Sequence, residues 1–262
     1  MSGSMKVNQP AGTLVVTGAA SGIGAATAKR LQSDGWQIVA VDLQKPDYSV
    51  AQYISADLGD PDSIDQAVAQ MPSQLHGLCN IAGLPGNRGV ERTLRVNFLG
   101  LRHLTHRVLP RLQPGSGIVN LASVAGNQWR DRWPLHQQWA ATPDFASGLA
   151  WLAQHPVSDE MVYAYSKEAV IAWTILCAGD LHRQQGVRMN CVSPGPVDTP
   201  ILEDFRNTLG RAKVANAIEL MGRAGRPNDI APVVSFLCHP DSGWIAGENI
   251  RVDGSLTASR TE

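Results

Sequence analysis

The sequence predicts an α/β fold built on a doubly wound parallel sheet with helices on both faces. Short apolar runs rich in β-branched residues, such as 14–16 and 38–41, have the character of parallel strands that are buried on both faces. Segments with a helical spacing of apolar residues lie between such runs. Because a chain of 262 residues can bury one large core, we expect a single domain at 11–262 behind a loose tail at 1–10.

Charge and cysteine content narrow the class of protein. A net charge of −1 gives no electrostatic basis for binding nucleic acid or an anionic membrane, and no apolar run reaches transmembrane length. The cysteines are far apart and form no C-x-x-C pair, which favours free thiols in a reducing compartment. Since residues 1–10 are polar and lack a signal-peptide core, we expect a cytoplasmic protein with no nucleic-acid or membrane partner.

The first predicted strand, 14–16, runs into a glycine-rich turn that opens a helix at 23–31. Gly18, Gly22 and Gly24 let the backbone turn tightly, approach a ligand closely and pack the helix on the sheet. The free N–H groups and the positive dipole end of such a helix favour a pyrophosphate. A glycine cluster alone also marks an ordinary turn, but its place after an N-terminal strand is typical of a Rossmann-type dinucleotide site.

The second strand, 36–42, ends in Asp42, close to the distance at which a carboxylate meets an adenosine ribose. The alternative is a solvated carboxylate at a strand end. A carboxylate there would repel a 2′-phosphate, and neither Ser21 nor Leu43 offers a cation to counter it. The pattern therefore favours NAD over NADP, and Lys45 is the nearby residue that could weaken this argument.

A third strand, 53–56, follows so soon that little room is left for the usual crossover helix. Asp57 and Leu58 come at its carboxyl end, where a carboxylate could meet the adenine amino group. Asp57 could equally cap a helix that begins near Pro61. A fourth strand leads into Asn80-Ile81-Ala82-Gly83, whose small residues would let the cofactor's ribose lie against the sheet edge.

Apolar residues at helical spacing predict a helix over 91–109, which Pro110 ends. Asn97 lies inside this helix among apolar neighbours, so its amide is either a core tie or a water anchor. His103 and His106 lie three apart with no third ligand in view. We interpret both histidines as surface residues and predict no metal site.

The clearest chemistry lies in Tyr163 and Lys167, which are four residues apart and share one face of a helix. A nearby ammonium stabilises a phenolate, at about 1.36 kcal/mol per unit of pKa, so we expect this tyrosine to have a lowered pKa and to exchange a proton with an alcohol. In isolation such a spacing more often marks an ordinary amphipathic pair. Here it follows Ser123, which comes after a fifth strand at 118–121, at the edge where such sheets place their chemistry.

Together these features resemble the short-chain dehydrogenase/reductase family over nearly the whole chain. The matching elements are the glycine turn 17–24, Asn80-Ile81-Ala82-Gly83, Asn97, Ser123, Tyr163 with Lys167, and Pro194-Gly195-Pro196-Val197-Asp198-Thr199. The resemblance implies that Tyr163 is the catalytic acid/base and that Ser123 holds the substrate oxygen. It also implies that Lys167 binds the nicotinamide ribose and tunes Tyr163, while Asn97 fixes a water in the proton relay. The chain departs from the family's pattern at Ile81, where a second Asn is commoner, and at Ser255, where Gly is frequent.

The resemblance and the strand ends together imply NAD as the cofactor and a set of candidate binding residues. This set is Gly18, Ser21, Gly22, Ile23, Gly24, Asp42, Leu43, Asp57, Leu58, Asn80, Ala82, Gly83, Tyr163, Lys167, Pro194, Gly195, Val197 and Thr199. Residues 200–209 would form a mobile substrate loop whose apolar wall is Ile201, Leu202 and Phe205. A late helix is predicted at 226–238 with Pro227 near its start, although Pro232, one turn inside, indicates that the helix begins near there or is kinked. Residues 249–252 form a final edge strand.

About forty residues separate Ser123 from Tyr163, where most relatives have about a dozen. This insertion, at about 124–161, is rich in tryptophan and also holds two histidines: Trp129, Trp133, Trp139, Trp151, His136 and His155. It is either a helical appendage that packs on the domain or on a partner subunit, or an aromatic lid over a bulky substrate.

The insertion and the shortened link after Asp42 resemble the subgroup that contains coniferyl-alcohol dehydrogenase and 3α-hydroxysteroid dehydrogenase/carbonyl reductase. The implied activity is NAD-dependent interconversion of an apolar, aromatic or polycyclic alcohol and its carbonyl, with local matches closer to the former enzyme and the latter activity as the alternative. The family usually assembles as homodimers or homotetramers. A rival hypothesis, suggested by the unusual insertion, is a non-catalytic NAD-sensing interaction protein.

Overall fold

The fold is organised around a seven-stranded parallel sheet with the strand order β3-β2-β1-β4-β5-β6-β7. The computed structural model describes residues 12–260, so the tail expected at 1–10 lies outside the described residues. The strands are β1 Thr13–Thr17, β2 Gln37–Asp42, β3 Gln52–Ser55, β4 Leu75–Asn80, β5 Leu112–Leu121, β6 Arg188–Pro194 and β7 Asn249–Val252. The predicted α/β class is confirmed.

Helices cover both faces of this sheet. They are α1 Gly22–Ser33, α2 Pro61–Ala69, α3 Val90–Leu94, α4 Leu101–Val108, α5 Trp133–Ala140, α6 Phe145–Gln154, α7 Val162–Gln185, α8 Ile201–Leu209, α9 Arg211–Leu220 and α10 Pro227–Cys238. Successive residues of β1 point to opposite faces: Val15 belongs to the core beneath α2, α4 and α7, whereas Leu14 and Val16 belong to the core beneath α1 and α10. Burial on both faces explains why the central strands are uninterrupted apolar runs.

The strand order places the candidate site. From β1 the chain builds outward to β3 and then crosses to β4 on the other side of β1. Ligands of open α/β sheets bind outside the carboxyl ends of the strands where the order reverses in this way. The crevice is therefore expected between the ends of β1 and β4, at Gly18 and Ala82.

The structure settles three predictions about the helices. Asp60, not Asp57, caps α2, because its side chain accepts a hydrogen bond from the backbone N–H of Asp62. The predicted loop at 200–209 is helix α8, whose first turn carries acidic residues that suit the helix dipole. Helix α10 spans Pro227–Cys238 with Pro232 inside it, so the prediction of a helix with Pro227 near its start is confirmed, and the alternative start near Pro232 is wrong.

The helix predicted at 91–109 is interrupted. Between α3 and α4 the backbone forms a π-helical segment, Arg95–Gly100, which contains Asn97. Single π turns inside α-helices are frequent at functional sites. Near the C-terminus, Ser255 has a φ of 65°, and it is the only non-glycine among residues 12–260 with a positive φ. This left-handed conformation favours glycine, which gives a physical reason for the glycine that the resemblance leads us to expect there.

The tryptophan-rich segment before α7 folds into α5 and α6 and packs into the core. Trp139 is fully buried, its ring lies 4.3 Å from that of Phe98 and 5.9 Å from that of Trp151, and its N–H donates to the carbonyl of Gly148. None of its four tryptophans lines either of the two adjoining cavities that residues 12–260 form at the sheet edge. These contacts support the helical-appendage interpretation over the aromatic lid.

A buried ion cluster joins this segment to α7. The carboxylate of Glu168 is fully buried and accepts two hydrogen bonds from Arg132, at 2.7 and 2.6 Å. His136, which is also buried, lies 2.9 Å from the same carboxylate. Glu168 directly follows Lys167, so the cluster fixes the segment against the part of α7 that carries the candidate site.

None of the helices in residues 12–260 combines the length and the apolar character that a membrane span requires.

Candidate active site

The glycine turn after β1 forms a cradle that only glycine allows. Gly18 and Gly22 have φ values of +68° and +53°, in the left-handed region. A Cβ at Gly24 would collide with the carbonyl oxygen of Gly18, so the first turn of α1 packs directly on the turn. The N–H groups at the start of α1 border the open cavity, as a pyrophosphate site requires. The residues present therefore fit a dinucleotide.

A cavity of about 270 Å³ runs along this sheet edge. It collects most of the cofactor residues predicted for the adenosine and pyrophosphate parts: Gly18, Ser21, Gly22, Ile23, Gly24, Asp42, Leu43, Asp57, Leu58, Ala82, Gly83 and Thr199. Residues that are distant in sequence thus meet at the crevice expected from the strand order. This juxtaposition is what the fold adds to the separate motifs.

Asp42 is held in a fixed orientation at the end of β2. Its carboxylate accepts hydrogen bonds from the backbone N–H of Ala20, at 2.9 Å, and of Gln44, at 3.0 Å. The first bond links β2 to the glycine turn, so the carboxylate stands beside the candidate pyrophosphate site. Lys45 is exposed and does not line the cavity, and Arg92, which does line it, is paired with Asp57.

Asp57 also lines this cavity and pairs with Arg92. The distances from Nη2 of Arg92 to the two carboxylate oxygens are 2.8 and 2.9 Å. Burial alone would raise the pKa of Asp57, but the hydrogen bonds from Arg92 and Gly59 and the nearby charges outweigh it and lower this pKa. Asp57 is therefore an ionised acceptor at the cavity wall.

A second, smaller cavity of about 90 Å³ adjoins the first. It brings together the predicted residues of the nicotinamide and substrate end: Ser123, Tyr163, Lys167, Pro194, Gly195, Val197 and Thr199. Ser123 follows β5 by two residues, and its oxygen accepts a hydrogen bond from the N–H of Ala125. The two cavities share Ile23, Gly83 and Thr199, so one elongated ligand can span both.

The electrostatics of Tyr163 and Lys167 differ from the prediction. Burial raises the pKa of Tyr163 to about 12, and a hydrogen bond with Ser123 offsets part of that rise. Burial lowers the pKa of Lys167 to about 8. The lysine ammonium lies 5.8 Å from the centre of the tyrosine ring and donates instead to the carbonyl of Leu121. The expected lowering of the phenol pKa by this lysine is therefore wrong, because desolvation dominates.

Asn97 and Asn80 line neither cavity. The Asn97 amide accepts from the N–H of Leu84 at 2.7 Å and donates to the Leu84 carbonyl and to the Ser166 hydroxyl. Its side chain is thus a core tie, which leaves no side-chain donor for a relay water. Asn80 is buried and donates to Thr105 and Asn120, so its side chain is held within the core, and its role in cofactor binding stays a prediction.

The substrate side of the second cavity is apolar. Ile201 and Phe205 of α8 line it as predicted, and the Phe205 ring lies 4.7 Å from the Tyr163 ring. Leu202, predicted as a third member of the wall, is 4% exposed and faces the core instead. Asp204 accepts hydrogen bonds from Asn87, at 2.7 Å, and from Arg88, at 3.4 Å. These bonds tie α8, which carries Phe205, to the turn Gly86–Arg88.

Two further observations complete the site. Sequence reasoning missed Arg92 and Leu84, which both line the first cavity. Only the acidic partner Asp57, 35 residues earlier in the chain, could have marked Arg92. His103 pairs with Asp65 at 2.9 Å, and residues 12–260 contain no group of three side chains that could hold a metal ion.

Comparisons with known proteins agree with this geometry. Residues 12–137 match the family described as short chain dehydrogenase, and residues 149–257 match the one described as Enoyl-(Acyl carrier protein) reductase. The chain is 43% identical over 246 residues to coniferyl-alcohol dehydrogenase of Pseudomonas sp. (strain HR199 / DSM 7063), covering 94% of this chain and 96% of that protein. It is 29% identical over 250 residues to 3-alpha-hydroxysteroid dehydrogenase/carbonyl reductase of Comamonas testosteroni, covering 94% and 96%.

A solved structure is similar over nearly its whole length. The 3-alpha-hydroxysteroid dehydrogenase from Pseudomonas sp. B-0831, in complex with NADH, superposes with a TM-score of 0.81 at 28% identity and covers 95% of this chain and 100% of that one. The ligand of that structure is a nicotinamide dinucleotide. The likeness spans both the sheet and the helices that form the candidate site.

Proposed function

The chain belongs to the short-chain dehydrogenase/reductase family, and from this premise we propose that it is an NAD-dependent dehydrogenase of an apolar, aromatic or polycyclic alcohol. Members of this family are oxidoreductases that use NAD(P) and act on alcohols. The observation that carries the proposal is the meeting of Ser123, Tyr163 and Lys167 in a cavity that opens into the glycine-turn cavity. A dinucleotide bound there would supply or accept a hydride.

The three side chains divide the remaining work. Tyr163 exchanges a proton with the substrate oxygen, and Ser123, which is hydrogen-bonded to Tyr163, holds that oxygen. Lys167 binds the ribose beside the nicotinamide and fixes α7 on the end of β5 through Leu121. Since the pKa of Tyr163 is about 12, the phenol is protonated at neutral pH and is ready to donate to a carbonyl oxygen. In alcohol oxidation the proton passes from the substrate hydroxyl to Tyr163, so a rise in pH should favour this direction.

Asp42 supports NAD rather than NADP as the cofactor. Its carboxylate is pinned by two backbone N–H groups where the adenosine ribose would lie, and a 2′-phosphate would meet that negative charge. The similar steroid dehydrogenase structure holds NADH. Asp57 and Leu58, which line the same cavity, would then bind the adenine.

The apolar lining of the second cavity supports the substrate class. Leu84, Ile201 and Phe205 offer ring-sized apolar contacts beside Tyr163. The 43% identity to a coniferyl-alcohol dehydrogenase favours an aromatic alcohol of that kind. A 3α-hydroxysteroid is the alternative substrate, supported by the second relative and by the similar structure.

The test is turnover of NAD with coniferyl alcohol and with a 3α-hydroxysteroid, followed by NADH absorbance. Tyr163→Phe should abolish turnover and leave NADH binding in place, because only the proton-transferring hydroxyl is removed. Tyr165→Phe is the matched control, since that buried tyrosine lies outside both cavities. Full activity of Tyr163→Phe would refute the mechanism, and NADH binding without turnover of any alcohol would favour the non-catalytic NAD-sensing hypothesis.

A further inference from the structure

We propose that Arg92 positions the adenine end of the cofactor, because its guanidinium orients the Asp57 carboxylate to accept the adenine amino group. This inference rests on the proposed function, which places adenine beside Asp57. Arg92 itself lines the first cavity, although it enters from α3 rather than from a strand end. It matches no sequence motif of the site.

The hydrogen bonds on Asp57 leave room for one more donor. Oδ1 accepts from Arg92 at 2.8 Å and from the N–H of Gly59 at 2.8 Å, whereas within residues 12–260 Oδ2 accepts from Arg92 alone, at 2.9 Å. A carboxylate offers about four acceptor positions, so the open one lies on Oδ2. Without Arg92, only the Gly59 bond would remain to set the rotation of the carboxylate.

The backbone is built to admit this arginine. A Cβ at Gly59 would collide with Nη1 of Arg92, so the guanidinium lies in direct contact with the turn between β3 and α2. One turn further along, Arg95 donates to the carbonyl of Gly59 at 2.8 Å. The two arginines therefore hold the turn that carries Asp57 from the same side, and only Arg92 reaches the cavity.

The chemistry of the base explains what this arrangement selects. Adenine presents an amino group, which donates to an ionised carboxylate, and such charge-assisted hydrogen bonds are the strong ones. Hypoxanthine carries a carbonyl oxygen at the same position, which would face the carboxylate with an unpaired acceptor. An oriented Asp57 should therefore discriminate NADH from its deaminated analogue, reduced nicotinamide hypoxanthine dinucleotide.

The test measures binding of both dinucleotides by fluorescence titration to the full chain, to Arg92→Met and to a control. Arg107→Met is the control, because Arg107, on α4, also donates to both carboxylate oxygens of an aspartate, Asp65, and lies outside the cavity. The unaltered chain should prefer NADH by about 10- to 100-fold, and Arg107→Met should keep that preference. Arg92→Met should reduce it to less than about threefold, mainly through weaker NADH binding.

Two results would overturn the inference. One is an unchanged preference for NADH in Arg92→Met, and the other is an equal loss of both dinucleotides, as a merely structural role would give. If Arg92→Met does not fold, the same binding preference is measured for Arg92→Lys and Asp57→Asn instead. Asp57→Asn keeps the size of the side chain but can donate to the hypoxanthine oxygen, so it should cancel or reverse the preference, and adding Arg92→Lys should change it no further.

The same titrations separate this inference from the proposed function. If the unaltered chain binds both dinucleotides equally and still turns over NAD with an alcohol, only the role of Asp57 and Arg92 is refuted. If it binds neither dinucleotide, the proposed function fails as well.

Discussion

The ammonium of Lys167 donates a hydrogen bond to the backbone carbonyl of Leu121 over 2.7 Å. This bond fixes helix α7 to the end of β5, two residues before Ser123. It joins the elements that carry the two oxygen groups of the candidate site. Lys167 is 3% exposed. The free-energy cost of burying its charge depends on pH.

Replacing Lys167 by Met should reveal that cost. The pKa of Lys167 is lowered from 10.5 to about 8, so below pH 8 the ammonium is charged in both states and the folded state bears the full burial penalty. Between pH 8 and 10.5 the unfolded state binds more protons, and the stability of the unaltered chain should therefore rise relative to Lys167→Met, by about 3 kcal/mol in total. Denaturant unfolding across this range measures it, with the exposed Lys213→Met as control. A difference that does not change with pH would contradict the prediction.

Asp204→Ala should loosen the wall that α8 contributes to the substrate cavity. The change removes the acceptor of Asn87 and Arg88 and frees α8, which carries Phe205, from the turn Gly86–Arg88. We expect KM for the alcohol to rise about three- to tenfold, while the Kd of NADH changes little. Steady-state kinetics and NADH titration give the two values. Asp180→Ala, at an exposed surface pair, is the control, and an unchanged KM would show that this tie does not shape the cavity.

Asp42→Ala should weaken the preference for NAD. Loss of a charge-assisted bond to the ribose is expected to lower NADH affinity about 10- to 100-fold, and loss of the negative charge should improve NADPH binding. Parallel titrations with NADH and NADPH measure both effects. Asp47→Ala, in the exposed turn that follows β2, provides the comparison. Should the ratio of the two affinities stay fixed, Asp42 would have no part in cofactor choice.

Trp139→Ala should destabilise the fold by about 3–5 kcal/mol, because it removes a fully buried ring and leaves a cavity between α5, α6 and the core. The matched substitution Trp244→Ala acts on a ring that is 93% exposed and should change stability by less than about 0.5 kcal/mol. Denaturant midpoints of the two variants test the contrast. Similar midpoints would mean that the tryptophan-rich segment adds little to the core.

Glu168→Gln should destabilise the protein mainly at neutral pH. Burial raises the pKa of Glu168, but its bonds to Arg132 and His136 outweigh this effect and lower the pKa below 4.5. The ion cluster therefore contributes stability above pH 4.5, and that contribution is lost as the pH falls through the lowered pKa. The stability difference between the two proteins should accordingly shrink on acidification. Asp180→Asn, at the exposed pair with Arg183, should show a much smaller difference at every pH.

Much of the fold was predictable because buried parallel strands leave a simple pattern. The runs at 14–16 and 36–42 match β1 and β2 closely, since both faces of those strands are apolar. The error at 200–209 arose differently: acidic residues in the first turn are a helix signal, yet the family resemblance favoured a loop. Asp57 was an ambiguous cap because Asp60, three residues later, offers the same chemistry.

The sequence by itself determined the fold class, the glycine turn and the residue types of the candidate site, because these depend on local spacing and on the chemistry of single side chains. The three-dimensional packing was needed to show that Arg92 pairs with Asp57, that burial raises the pKa of Tyr163, and that the Asn97 amide is hydrogen-bonded to Leu84 and Ser166. Each of these depends on which distant groups meet and on how much water they lose. Spacing along the chain does not encode either quantity.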